Sequence, residues 1–278
     1  MGQFWGLSIG DDALVPCAVR RYIRRIAACT ENAGSYGLGC YTRGELLQRV
    51  EPRCEGGPPD VDMMLDKTRA DLVIMHARPR KDHPANRADI HPFRFKEWLF
   101  AHNGEVKGFE EIKQELLEVI PSFIRRNIKG ETDSEVLFHL FLSFLYDAGK
   151  LGRPAVKPTE ISDALVRTFA TVDEFAHIRN IQTSPASVIV SDGYSMAAGR
   201  RGIPMELAVI DGIPDCDRCR VSFPPGDREA PPVNHEVKAV LVCSCNSVES
   251  DETLTVVEDN TLLLVDRHQS ITYRPFGS

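Results

Sequence analysis

Residues 98–104 read WLFAHNG, an apolar run that ends in an Asn-Gly pair. The run predicts a buried strand over residues 97–101 that delivers the polar residues after it into a turn. There, the side-chain amide of Asn103 and the unhindered backbone N–H of Gly104 are two donors that can stabilise an oxyanion during acyl transfer. Taken alone, an Asn-Gly pair is equally the commonest signal of a hairpin turn.

Two shorter motifs stand on either side of this stretch. Residues 76–78 read HAR and close an apolar run that predicts another buried strand. Residues 132–135 read TDSE at the start of a predicted helix, with Thr132 as its N-cap and Glu135 three residues later, as in a capping box. Arg78 can hold a carboxylate by a bidentate contact, and Asp133 can pair with an ammonium group. Together they would hold a free amino acid, with the Asn-Gly donors serving an amide on its side chain. Glutamine or another γ-glutamyl amide fits that description.

The order of predicted elements is strands, then helices, then strands. Predicted strands span residues 3–9, 35–41, 46–50, 71–76, 97–101, 187–190, 194–198, 207–210, 237–244, 262–265 and 271–274, and predicted helices span 15–30, 60–70, 109–119, 133–148 and 158–180. This order favours one layered α+β domain over a repeated βαβ unit. We expect that domain to cover residues 1–276 and interpret residues 277–278 as a cloning remnant.

Composition narrows the class of protein. A formal net charge of −7 and the absence of a long basic cluster argue against a nucleic-acid partner and against an anionic membrane surface. No stretch reaches the roughly 18 apolar residues of a transmembrane helix, and no signal-peptide run opens the chain. We therefore expect a cytoplasmic protein whose eight cysteines are free thiols rather than a disulfide framework.

The three motifs, taken in order with HPF at residues 91–93 and YGLGCY at 36–41, resemble the class II glutamine amidotransferases. They are most similar to the stand-alone branch with YafJ-like proteins and the γ-glutamyl amidohydrolase of ergothioneine biosynthesis. The resemblance implies the N-terminal nucleophile hydrolase fold, a four-layer αββα sandwich of two antiparallel sheets. It implies hydrolysis of the side-chain amide of glutamine or a γ-glutamyl amide through a cysteine thioester, without a cofactor.

The resemblance also implies roles for individual residues. Arg78 would bind the carboxylate of glutamine, Asp133 would bind its amine, and Asn103 with Gly104 would supply the oxyanion hole.

Two groups of histidines and cysteines could each form a metal site, but we do not favour either interpretation. His76, His91 and His102 could form a three-histidine site, but we expect them to support the substrate pocket through hydrogen bonds. Cys216, Cys219, Cys243 and Cys245 could together hold zinc. Because Cys243 and Cys245 fall on one predicted strand and face the same side of it, we expect no metal.

Position 2 departs from the family pattern. The family places its nucleophilic cysteine directly after the initiator Met and uses the free α-amine as base, but this chain has Gly2 and no thiol there. Cys17 and Cys40 lie in later elements and lack the α-amine. We therefore expect an inactive Cys→Gly variant of an amidohydrolase. The alternative is a natural pseudoenzyme that binds a γ-glutamyl ligand, or a partner enzyme, without turnover.

The loop between Arg78 and the HPF motif is a second departure. Arg80 and Lys81 stand where the family has small residues, and Asp89 replaces an Asn. We expect this loop to line the pocket, and its positive charge to favour a substrate more acidic than glutamine.

Overall fold

The computed structural model describes residues 2–80, 85–214, 233–245 and 253–277. Within these ranges two antiparallel sheets stack face to face, and helices cover both outer faces. The fold is therefore the α+β, four-layer αββα arrangement that the sequence predicts.

The first sheet has the N-terminal strand near its middle. In spatial order it contains Thr255–Val256 (β11), Glu206–Pro214 (β9), Val233–Ser244 (β10), Gln3–Ile9 (β1), Leu72–Pro79 (β4), Ala33–Thr42 (β2) and Glu45–Glu51 (β3). In β1, Phe4 lies opposite His76 on one neighbour and Ser244 on the other. This pairing fixes residue 2 beside the HAR motif at the end of β4.

The second sheet carries the HNG motif. In spatial order it contains Ile271–Pro275 (β13), Thr261–Val265 (β12), Met196–Arg201 (β8), Ala186–Ser191 (β7), Trp98–Gly104 (β6) and Phe93–Phe95 (β5). Asn103 and Gly104 are strand residues that pair with Ser187 and Ala186 of β7. The expectation of a turn at this Asn-Gly pair is wrong, because pairing with a neighbouring strand extends β6 through it.

Helices are divided between the two outer faces. Val15–Arg20 (α1), Ile23–Ala28 (α2) and Val61–Leu65 (α3) cover the first sheet, and Phe109–Val119 (α4), Ser122–Arg125 (α5), Asp133–Asp147 (α6) and Pro158–Ile178 (α7) cover the second. Helix α6 is buried along nearly its whole length, between the second sheet and the other helices. Among the described residues, no helix combines the length and apolar composition needed to cross a membrane.

The single helix predicted over residues 15–30 is wrong. The chain forms α1 and α2 with a break between them, and Arg25 on α2 is buried. Its Nε donates to the Glu206 carboxylate on β9 at 2.6 Å. The sequence could not reveal this ion pair, because its two members are far apart in the chain.

The helix cap predicted at Thr132 is confirmed. The Glu135 backbone N–H donates to Thr132 Oγ1 at 3.3 Å. The reciprocal half of a capping box is absent, because the Glu135 carboxylate instead accepts hydrogen bonds from the backbone N–H groups of Lys129 and Gly130. Glu135 therefore fixes the loop that leads into α6.

The expectation that all cysteines are free thiols is wrong for two of them. Cys29, at the end of α2, and Cys245, just after β10, form a disulfide with their Cα atoms 5.1 Å apart. Folding brings them together although 216 positions separate them in the sequence. Cys243 is buried outside this disulfide, on the same side of the sheet as Cys245, as predicted. Cys216 and Cys219 of the considered zinc site lie outside the described residues.

Candidate functional site

A cavity of about 540 Å³ opens where the two sheets meet the N-terminal ends of α4 and α6. Its wall includes Gly2, Arg78, His102, Gly104 and Asp133. The structure thus brings five of the seven site residues predicted from the sequence into one space. The other two, His76 and Asn103, are buried directly behind this wall.

Arg78 reaches the cavity from the end of β4 and is half-buried. Burial lowers the pKa of its guanidinium, and the carboxylates of Asp89 and Asp133 oppose this shift. Arg78 is therefore a cation with two acidic groups in its surroundings. A ligand carboxylate would have to approach it on the side that faces the cavity.

Asp133 occupies the first turn of α6 and holds the backbone around it. Its Oδ2 accepts a hydrogen bond from the Val106 N–H at 2.7 Å, and its Oδ1 accepts one from the Ser134 N–H at 2.7 Å. A carboxylate has about four acceptor positions, so capacity remains for a ligand ammonium group. The same side chain therefore shapes the loop after β6 and offers negative charge to the cavity.

Gly104 is required by its surroundings. Its φ is +155°, and a Cβ atom there would lie 2.5 Å from His102 Nε2 and 2.7 Å from the carbonyl oxygen of Pro185. The backbone at Gly104 can therefore face the cavity only because no side chain is present.

Gly104→Ala is expected to destabilise the fold by roughly 1–3 kcal/mol, because the added methyl group must displace the His102 imidazole or the backbone at Pro185. Urea denaturation of the variant measures this loss. Gly56→Ala is the matched control, since Gly56 has no atom within 4 Å of an added Cβ. Equal stability of the two variants would contradict the packing described at Gly104.

Asn103 uses its amide inside the protein. Its Nδ2 donates to Ser244 Oγ on β10 at 3.0 Å, and the residue is fully buried. The oxyanion role predicted for Asn103 stays a prediction, because in this structure the amide ties the two sheets together. The sequence pattern gave one clue to this partner, since Ser244 alternates with Cys243 and Cys245 and so faces the other sheet.

His102 lies at the floor of the cavity. Its Nδ1 is 2.9 Å from Ser134 Oγ in the first turn of α6. Burial lowers the pKa of His102 to about 4, and Asp133 only partly opposes this shift. The imidazole is therefore neutral at pH 7 and adds no charge to the site.

His76 and His91 form a buried pair. Nδ1 of His91 lies 3.0 Å from Nε2 of His76, so one ring nitrogen donates to the other. Burial lowers the pKa of both imidazoles well below the ordinary value. The Arg78 guanidinium lowers the pKa of His76 further, and the His76 ring lowers the pKa of His91 further. His76 and His91 thus contact each other and His102 contacts Ser134, while their support of the substrate pocket stays a prediction. Among the described residues, the group whose ligand atoms lie close enough for a shared metal is Cys29, Cys243 and Cys245, and two of these three form the disulfide.

The imidazole of His76 fills the space next to residue 2. A Cβ atom on Gly2 would lie 2.3 Å from Nε2 and 2.5 Å from Cε1 of His76. These separations are far below van der Waals contact, so a side chain at position 2 would require His76 to move. The missing thiol is thus accompanied by a neighbouring ring packed into the place it would occupy.

The charge around the cavity differs from the expectation. Arg80 does not line it, because its guanidinium donates to the carbonyl oxygen of Cys54 at 2.9 Å, and Lys81 lies outside the described residues. The rim instead carries Glu105, Glu110 and Glu111. The latter two occupy the first turn of α4, where negative charge also suits the helix dipole.

Comparison with known proteins agrees with this fold. The sequence model described as "Glutamine amidotransferases class-II" matches residues 1–209. The chain is 25% identical over 229 residues to the yeast (Saccharomyces cerevisiae) protein named probable glutamine amidotransferase DUG3. This match covers 78% of the chain but only 62% of the yeast protein.

Solved structures share the fold at lower identity. A glutamine aminotransferase class-II domain protein from Silicibacter pomeroyi superposes with a TM-score of 0.60 at 18% identity, covering 99% of this chain and 100% of that one. The glutamine phosphoribosylpyrophosphate amidotransferase of B. subtilis superposes with a TM-score of 0.55 at 15% identity, covering 99% of this chain and 49% of that one. The sequence model matches most of the chain, and we conclude that the protein belongs to the class II glutamine amidotransferases.

Proposed function

We propose that this chain, as one domain over residues 1–276, binds glutamine or a γ-glutamyl amide without forming a thioester at residue 2. One observation carries the proposal. The cavity holds Arg78, Gly104 and Asp133 around Gly2, while His76 occupies the space of the missing side chain. The cavity therefore has the groups that we propose for recognition and has no thiol at residue 2.

The charges of the cavity suit an amino acid. Arg78 would take the α-carboxylate and Asp133 the α-ammonium group, in charge-assisted hydrogen bonds. The side-chain amide would then extend towards Gly104 and Gly2. The neutral His102 beneath it favours an uncharged amide over a charged group at that end of the ligand.

No other described cysteine replaces the nucleophile. Cys17 and Cys40 pack against the core beneath the first sheet, and neither lines the cavity. The yeast relative is named as a probable glutamine amidotransferase, which supports glutamine or a γ-glutamyl amide as the ligand. His76 packs into the space beside Gly2. This packing favours a natural pseudoenzyme, whose pocket is formed around a glycine, over an enzyme that has only lost its cysteine.

Binding by Arg78 can be measured directly. Titration calorimetry with glutamine and with γ-glutamyl methylamide is expected to show saturable binding, and Arg78→Gln is expected to weaken it by about tenfold or more. The reason is that losing a hydrogen bond to a charged group costs about 1.5–3 kcal/mol. Arg43→Gln, at an exposed arginine far from the cavity, is the control and should bind as the parent does. Absence of binding by the parent, or equal binding by both variants, would refute the proposal.

A further inference from the structure

A second, larger cavity lies on the far side of the His91–Pro92 segment from the γ-glutamyl pocket. Its volume is about 950 Å³, at the upper end of the roughly 300–1,000 Å³ typical of small-molecule sites. The wall is formed by β5, the turn at Arg87–Asp89, α5 with the loop after it, and one side of α6. We call this space the basic cavity.

Positive charge dominates the basic cavity, although the whole chain has a net charge of −7. Its cationic lining residues are Arg87, Arg94, Lys96, Arg126 and Lys129. None of these five forms an ion pair with a carboxylate in the part of the chain that the structure describes. They surround a common space, so their mutual repulsion is left uncompensated.

The acidic lining residue of this cavity does not neutralise that charge. It is Glu135, whose two carboxylate oxygens already accept hydrogen bonds from the backbone N–H groups of Lys129 and Gly130, at 2.9 Å and 2.6 Å. Its role is to hold the loop before α6 in place. The excess of positive charge in the cavity is therefore available to an anionic ligand.

Aromatic rings form the rest of the wall. Phe93 and Phe138 are buried and make its base, whereas Phe95 is partly exposed and Phe123 is 36% exposed. His139 also lines the space, with Nδ1 2.8 Å from the carbonyl oxygen of Glu135. Accessible phenylalanine rings beside arginines can stack on a planar ring of a ligand.

We propose that the basic cavity binds a nucleoside diphosphate or triphosphate. Phosphate oxygens would bind Arg94, Arg126 and Lys129, since guanidinium groups match phosphate in bidentate geometry. The base would lie against Phe95 and Phe123. Simple anions would use the cations but leave the aromatic wall uncovered, and neutral aromatic compounds would leave the charge unbalanced. This site is separate from the γ-glutamyl pocket and does not depend on the function proposed for it.

Calorimetry on the full chain with ATP, ADP, adenosine and tripolyphosphate tests the assignment. We expect ATP and ADP to bind, and adenosine and tripolyphosphate each to bind more weakly than ATP, because each engages only part of the cavity. If ATP and ADP do not bind, the proposal is wrong. If tripolyphosphate binds as tightly as ATP, the aromatic half of the proposal is wrong and the cavity is a simple anion site.

Charge-reversal variants locate the binding. The double variant Arg94→Glu/Arg126→Glu is expected to lower ATP affinity by roughly tenfold or more, since two phosphate contacts become repulsions. The double variant Arg21→Glu/Arg24→Glu changes the net charge equally, at two exposed arginines on the opposite helical layer, and should bind ATP as the parent does. Equal losses of ATP affinity in the two double variants would show that binding depends on net charge and not on this cavity, and would overturn the assignment. Circular dichroism of each variant confirms that it is folded.

Discussion

Gly2→Cys, once its Met1 has been removed, is expected to release glutamate from glutamine far faster than the parent does. The expectation follows because Arg78, Gly104 and Asp133 already surround the position. A cysteine at the N-terminus would gain both a thiol and an adjacent free amine to activate it. Since loss of a nucleophile typically costs several orders of magnitude in rate, we expect a gain of at least about a thousandfold. Glutamate release and the mass of a trapped thioester are the measurements.

The packing of His76 gives this experiment its matched control. Any Cβ at position 2 must displace the imidazole and disturb its 3.0 Å contact with His91. Gly2→Ala adds that same Cβ without a thiol, so it should lose stability as Gly2→Cys does and remain inactive. If correctly processed Gly2→Cys binds glutamine but releases no glutamate, the pocket has lost more than its nucleophile.

Stability is expected to fall steeply as the pH drops from about 6.5 towards 4. The folded-state pKa of His102 is about 4, whereas an exposed histidine in the unfolded chain has a pKa of about 6.5. The unfolded state therefore binds more protons in this range. The stabilisation of the folded state that is linked to the lowered pKa of His102 is complete above pH 6.5 and is lost as the pH falls through 4. It amounts to about 3 kcal/mol. His76 and His91 shift in the same direction and add to the loss.

Urea denaturation at a series of pH values measures this dependence. His102→Gln should be less stable than the parent at pH 7.5 but should lose less stability between pH 6.5 and 4.5, because one buried imidazole is gone. His177→Gln, at an exposed histidine of α7, serves as the control and should keep the parent's pH dependence. An unchanged slope in His102→Gln would show that His102 does not titrate as described.

Local sequence patterns predicted elements whose causes lie within a few residues. Helix α4 begins and ends where its periodicity predicted, at Phe109 and Val119, and β1 spans the predicted residues 3–9. The Thr132 cap is likewise a local interaction, between a side chain and the N–H three residues later. The break between α1 and α2 escaped prediction, because the apolar periodicity of the segment continues across it.

The ends of strands were less predictable than their centres. β6 runs through Asn103 and Gly104, because β7 pairs with it up to Ala186. A turn signal in the sequence is a local preference of the backbone, and the hydrogen bonds of a neighbouring strand outweighed it here. The role of each site residue depends on such pairings, since they fix which side of a sheet a residue faces.

The sequence by itself determined the order of the HAR, HNG and TDSE motifs, the layered α+β class and the absence of a thiol at residue 2. Each of these follows from residue identity or from local periodicity. Only the tertiary structure showed that Asn103 bonds Ser244, that Cys29 meets Cys245, and that His76 fills the space beside Gly2. The physical reason is the same in each case. These contacts join residues from different strands and helices, and their distances are set by how two sheets and their helices pack, which no local pattern encodes.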